Sequence, residues 1–325
     1  MYVDGRINAL FWMGGVTNSP ATSSLNFIIA SGISVFCRVA VNCFILITGY
    51  FLCADDSEIQ LNKIINPIKK HYKKMWFYSV FIFVIACLFD NSLFSLKELS
   101  YSMTPIMSNQ WWFMTIFIFL LCIKPFLAKL LFYLSEKELK ILLLSVAFFD
   151  IIQSILGKNG FSERGTGVLH CTFMLVLGYG IRKLSCLKFE KIKALLIYVF
   201  SCLVVGVIAL CEKKIFHSND AVSLYYNSPL IVIASIGFMN IFLSNKFKGK
   251  WVSKISPHVI VIYLINDHPI VRENVWIKIL HCDNFYSSNF MILHWFFTVI
   301  LFAVIGIVVD YFISNVKKIT RIKKG

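Results

Sequence analysis

Apolar residues run along this chain in long blocks, broken by short polar stretches that recur every twenty to thirty residues. A helix crossing a bilayer needs roughly 20 largely apolar residues. By that measure nine spans are expected, at about 30–53, 75–90, 111–133, 139–157, 166–184, 192–211, 224–244, 255–272 and 289–314. The second is short, and the eighth is interrupted by Pro257 and by the polar run Asn266, Asp267 and His268. The predicted fold is all-α, a polytopic transmembrane helical bundle. Residues 1–29 form an extracytoplasmic segment, 30–314 the membrane domain and 315–325 a basic tail.

Composition supports the spans. The 325 residues are 58% hydrophobic and only 15% charged, whereas soluble domains carry about 25% charged residues. The net charge of +15 is not gathered into one nucleic-acid-binding face. It is dispersed as short clusters between apolar runs, as in loops held on the cytoplasmic side. Twenty-three basic residues fall on one set of alternate loops and eight on the other, which places the C-terminus in the cytoplasm. Nine spans then put the N-terminus outside, although residues 1–29 carry no signal peptide. The expectation is that a tenth, N-terminal span is missing here, with Ala9–Met13 as its outer end. The ten cysteines include no CxxC pair and read as small apolar residues between helices; no metal site is expected.

Polar groups at membrane depth are costly and default to function. Arg38 and Asn42 lie one helical turn apart and share a face. Trp111, Trp112, His170, Asn266, Asp267, His268 and Arg272 fall at outer span ends. Each has two readings. Trp111 and Trp112 are either an interfacial aromatic belt or part of a functional site at a span mouth. Arg38 either snorkels or lines a path. His170 is a hydrogen-bonded helix residue or a catalyst. Asp267 and His268 suit a general base with a charge partner, unless Asp267 pairs structurally with Arg272. On the cytoplasmic side Lys69, Lys70, Lys73 and Lys74 face either anionic lipid or a phosphorylated cytoplasmic donor. Motifs for nucleotide hydrolysis, serine catalysis and zinc catalysis are absent.

Four stretches together resemble the acyltransferase 3 family of membrane acyltransferases. Asn42 to Leu52, NCFILITGYFL, is similar to its "vplFfliSGYfl" signature. Gln110–Phe113 followed by Pro125–Phe126 resembles "yWFl…l.sPfl", and Gly178–Gly180 resembles "lGyyi". Ile262–Ile265 with Asp267, Arg272 and Trp276 resembles "iYLiHd.pl.r..lw". The likeness runs in order from about residue 30 to the end, and surface-polysaccharide O-acetyltransferases are the nearest subgroup. The resemblance implies a ten-helix domain. It passes an acyl group, usually acetyl, from cytoplasmic acyl-CoA to a glycan hydroxyl at the outer face, with no permanently bound cofactor. It also implies a base histidine near the outer end of the first helix and basic pairs after the second helix at the donor.

This chain departs from the pattern at those points. No histidine precedes His71, the donor arginines are Lys69/Lys70 and Lys73/Lys74, and Asn266 stands where the family has histidine, with His268 two places on. The expected function is a membrane O-acyltransferase of the bacterial inner membrane, with membrane lipid, acyl-CoA and a glycan as partners and no nucleic acid. Within residues 1–325 the expected catalytic pair is His268 with Asp267. The expected substrate-binding set is Arg38, Asn42, Trp111, Trp112, His170, Asn266 and Arg272. A glycan or small-anion transporter, or a non-catalytic subunit of polysaccharide assembly, is the alternative.

Overall fold

The computed structural model describes residues 24–55, 58–156, 163–216, 221–244 and 249–322. The expected remnant Ala9–Met13 and the last three residues lie outside them. Among the described residues every regular element is helical. The principal helices are α1 (Ser24–Cys37), α2 (Val39–Tyr50), α3 (Leu61–Phe89), α4 (Leu96–Met103), α5 (Trp112–Tyr133) and α6 (Glu136–Ile155). They continue with α7 (Val168–Lys183), α8 (Lys191–Phe216), α9 (Pro229–Leu243), α10 (Lys250–Ile255), α11 (Val259–Asn266) and α12 (Met291–Ile322). Between α11 and α12 lies a nine-residue π-helix, Val271–Ile279.

Six stretches are long and apolar enough to cross a membrane: Leu25–Tyr50, Leu61–Phe89, Trp112–Tyr133, Lys191–Glu212, Val222–Leu243 and Met291–Ser314. The expected nine thus fall into two groups, for physical reasons. Helix α6 opens on Glu136, Lys137, Glu138 and Lys140, which dilutes its apolar run. Helix α7 is only 16 residues long, but its residues from His170 to Ile181 are almost all buried in protein, so it has little lipid to face. The eighth span passes through a 3-10 turn at Pro257 and ends before Pro269, leaving the shorter apolar helix Val252–Asn266. The second span is longer than expected. The lysine-rich segment is the first part of α3 and not a separate loop, with Pro67 inside it.

The chain divides into two units. One comprises Met1–Ala30, His71–Trp111 and Lys248–Gly325; the other comprises Ser31–Lys70 and Trp112–Phe247. In the second unit α2 and α7 run parallel and touch backbone to backbone. A Cβ on Gly49 would collide with the Leu175 carbonyl, and one on Gly178 with the Leu46 carbonyl. Small residues at such a crossing let helices approach closely, gaining dispersion contacts where lipid provides no hydrophobic drive. Arg182 extends the seam past the end of α2 by donating to the Leu52 carbonyl at 2.7 Å. Helix α6 runs antiparallel to α7, with Leu143 against Gly180. Helices α8 and α9 close on the other flank, where Val35, Val39, Cys43, Cys202, Val205, Ile231 and Ala234 form an apolar cluster.

In the first unit, Gly306 of α12 lies against Ile262 of α11, and Trp276 stacks on Phe302 with ring centres 4.6 Å apart. Asn26 donates to the carbonyls of Tyr286 (3.0 Å) and Ser288 (2.9 Å), fastening α1 to the loop before α12.

Candidate functional site

The second unit gathers Arg38, Asn42, Trp112 and His170 around one loop, residues 225–228. That loop is positioned by an unusual turn. Glu163, Arg164 and Gly165 all have positive φ, at 45°, 62° and 82°. At Gly165 a Cβ would meet Asn227 N and Tyr226, so only glycine lets the two segments close. Tyr226 N then donates to the Arg164 carbonyl at 3.2 Å. Two guanidinium groups cover the adjacent rings: Arg164 lies 5.3 Å above Tyr225, and Arg38 lies 5.6 Å above Tyr226. Trp112 sits 5.9 Å from the Tyr226 ring, tilted 34°.

Beneath this aromatic layer is a fully buried polar chain. Asn42 of α2 donates its Nδ2 to the Tyr226 carbonyl at 2.9 Å. That bond fixes the amide, so Asn42 Oδ1 faces His170 Nε2 at 3.0 Å. An amide oxygen only accepts, and Nε2 must therefore carry a proton. His170 Nδ1 lies 2.7 Å from Asp150 Oδ2. The pair consequently shares one further proton, as imidazolium with carboxylate or as neutral imidazole with carboxylic acid. Asn227 completes the chain by donating Nδ2 to the Asp150 carbonyl at 3.1 Å. All four side chains are closed off from solvent: Asn42, His170 and Asp150 are 0% exposed, and Asn227 is 1%.

Three polar atoms here have no hydrogen-bond partner among the described residues: Asp150 Oδ1, Asn227 Oδ1 and Arg38 Nε. Each buried unpaired group costs about 1–3 kcal/mol. A native structure retains such groups where something beyond packing needs them.

The first unit arranges the remaining residues, expected at outer span ends, differently from the sequence expectation. Asp267 and His268 are neighbours in the chain but do not pair. Asp267 Oδ1 accepts from Arg272 at 3.3 Å, and His268 Nδ1 accepts the Ile270 backbone N–H at 3.2 Å. The ring proton of His268 is therefore on Nε2, which has no partner among the described residues. With Nδ1 occupied and Nε2 protonated, this ring offers no free lone pair to a substrate hydroxyl. Trp111 is a core residue and not a surface platform. It is 0% exposed, donates Nε1 to the Leu264 carbonyl at 3.2 Å and places its ring 5.3 Å from His268. Asn266 is half-buried.

On the expected donor side, Lys69, Lys70 and Lys73 are exposed along α3. Lys74 differs. Its Nζ is held 3.3 Å from Asp310 Oδ2, a carboxylate that also accepts from Tyr78 at 3.0 Å and lies 2.7 Å from His258 Nδ1. No group of three or more His, Cys, Asp or Glu suited to a metal occurs among the described residues.

Sequence reasoning missed Asp150, Tyr226 and Asn227. The signal for Asp150 was present, a lone carboxylate inside the apolar run Val146-Ala147-Phe148-Phe149-Asp150-Ile151-Ile152. Tyr226 and Asn227 gave none, because uncharged residues in a span-end loop are unexceptional.

Neither the characterised proteins nor the solved structures include a match to this chain. The family model described as an acyltransferase domain, that of the acyltransferase 3 family, matches residues 9–312. That stretch takes in Gly49 and Gly178 at the helix seam and the whole buried polar chain, and on this match the protein belongs to the acyltransferase 3 family of membrane acyltransferases.

Proposed function

We propose that this acyltransferase transfers an acyl group, acetyl in the simplest case, from cytoplasmic acyl-CoA to a hydroxyl of a cell-surface or lipid-linked glycan. The observation that carries the reading is the buried His170–Asp150 contact of 2.7 Å. It is the one His–Asp pair among the described residues with both side chains wholly buried. Acyl transfer to an alcohol needs a group that takes the hydroxyl proton as the oxygen attacks the thioester carbonyl. The carbon–oxygen bond forms, the carbon–sulfur bond breaks, and the proton ends on the departing CoA thiol. The His170–Asp150 pair is suited to the first proton transfer because Asp150 Oδ1 has no partner among the described residues. Arg38, one helical turn from Asn42, brings positive charge to the same outer region, where negative charge develops on the carbonyl oxygen.

At the other end, Lys69, Lys70 and Lys73 supply exposed charge for the phosphates of the acyl donor. Lysine provides point charges there and no bidentate fork. The decisive experiment is CoA release from acetyl-CoA by the purified chain in nanodiscs, with and without lipid-linked or soluble glycan. Acceptor-dependent release that falls at least about a hundredfold in His170→Leu supports the assignment. Glycan-independent release, or none with any acceptor, removes it.

A further inference from the structure

We propose that residues 90–107, which follow α3, form an interfacial element in the bilayer leaflet opposite the α3 lysines, with their exposed apolar side chains among lipid acyl chains. The partner of this surface is lipid, and the inference is independent of the acyltransferase reading.

The sequence pattern leaves these residues as a loop in water between two spans, since they carry Asp90, Lys97 and Glu98. Depth argues otherwise. Lys74 of α3 touches Asp310 of α12 at 3.3 Å, so the two helices share a level there. Beyond that level α3 runs on only to Phe89, about 22 Å of helix at 1.5 Å per residue. From Asp310 back to Met291, α12 extends for about 28 Å. A hydrocarbon core is about 30 Å thick, so α3 ends while roughly 8 Å of apolar leaflet remains. The chain turns at Asp90 and continues from that depth.

Exposure agrees. Phe89 and Met107 are both 89% exposed, and Leu88, Phe94, Leu96 and Met103 are exposed with them. They continue the lipid-facing strip of α3, where Phe81, Val84 and Ile85 are exposed too. Apolar surface gathered in this way marks a membrane or protein contact and not a face left to water.

The polar groups suit the same place, because backbone at membrane depth has to satisfy itself. The N–H groups of Ser92, Leu93, Phe94, Glu98, Leu99 and Thr104 all find acceptors within residues 90–101. Thr104 Oγ1 donates back to the Ser100 carbonyl at 2.8 Å, and Ser108 Oγ to the Tyr101 carbonyl at 3.1 Å. Hydroxyls in water have no need of such bonds. Lys97 lies 5.6 Å from the Tyr101 ring, a pairing fitted to the headgroup level, where the lysine stem meets apolar surface and its ammonium stays wet. Asp90, Lys97 and Glu98 then mark the headgroups, and Phe94, Met103 and Met107 the acyl chains beneath them.

The test keeps the native sequence. The full chain is produced with photo-methionine, a near-isosteric diazirine analogue, in place of methionine. It is placed in phosphatidylcholine nanodiscs, illuminated, and read peptide by peptide by mass spectrometry. Met103 and Met107 should gain the mass of one phospholipid, with the new bond on an acyl chain, whereas the buried Met75 and Met174 should gain none. A second arm needs no photochemistry: Met107→Asp should lower the melting temperature in nanodiscs, because a carboxylate does not belong among acyl chains. The same change on a water-exposed loop would leave it unmoved. Addition of water alone at Met107, a cross-link from it to a second copy of the chain, or an unchanged melting temperature in Met107→Asp overturns the proposal.

Discussion

Asn42 is the residue on which the buried chain depends, because both ends of its amide are committed. Its Nδ2 binds the Tyr226 carbonyl and its Oδ1 binds His170 Nε2. Replacing it with leucine keeps the volume but strands a buried N–H and a buried carbonyl. At about 1–3 kcal/mol for each stranded group, Asn42→Leu should cost roughly 2–6 kcal/mol. A fall in the melting temperature of the purified chain would show it, and an unchanged one would mean the amide is not fixed this way. Arg38, Asn42, Trp112 and His170 were legible in the sequence because a polar or wide aromatic side chain stands out in an apolar run. Their assembly was not legible, since it passes through Tyr226 and Asn227, which stand in an ordinary polar loop. The proximity of Asp267 and His268 in sequence carried the opposite error of inference. Adjacent residues near a helix end point in different directions, and here Asp267 turns to Arg272 and His268 to the Ile270 N–H.

Among the elements, the α2–α7 seam is the most sensitive to small changes. A methyl group at Gly178 would be driven into the Leu46 carbonyl, which belongs to helix backbone and cannot swing aside. Gly178→Ala should therefore destabilise the chain by about 1–3 kcal/mol or more, whereas Gly32→Ala, with open space around its Cβ position, should not. Comparing the two melting temperatures isolates the effect of close approach from that of glycine itself. The start of α6 offers a pH-dependent counterpart. Ser135 and Glu138 form a reciprocal cap: Glu138 N donates to Ser135 Oγ at 3.3 Å, and Glu138 Oε2 accepts from Ser135 N at 2.8 Å and from Ser135 Oγ at 2.6 Å. The Ser135 hydroxyl, then its backbone N–H, hold the Glu138 carboxyl below its ordinary value. The ionised form is thus favoured when folded, so the cap's contribution is complete above the ordinary carboxylate range and is lost as pH falls through the lowered value. Amides in the first turn of α6 should lose hydrogen-exchange protection on acidification, and Glu138→Gln should flatten that response. Most apolar runs were readable as helices by length alone. The run at 166–184 was readable too, and its helix α7 is short because protein surrounds it; the exception was the extension of α3 back to Leu61, which the lysines disguised as a loop.

For the whole molecule, the uneven distribution of basic residues makes a claim about sidedness that two cysteines can check. Cys53 follows α2, Cys186 follows α7, and both are exposed. Both belong to loops on the lysine-rich side. A membrane-impermeant maleimide should label them in inverted vesicles and leave them untouched in intact spheroplasts, and the reverse pattern would invert the topology. The parallel seam has a further consequence for how the protein meets different membranes. Asn42 and His170 lie about two turns before Gly49 and Gly178, on helices that touch without intervening side chains at the crossing. A thinner or thicker bilayer is accommodated by tilting helices, and this pair can tilt only together. The spacing between Asn42 and His170 should therefore persist as lipid chain length changes, with adaptation left to the helices around them.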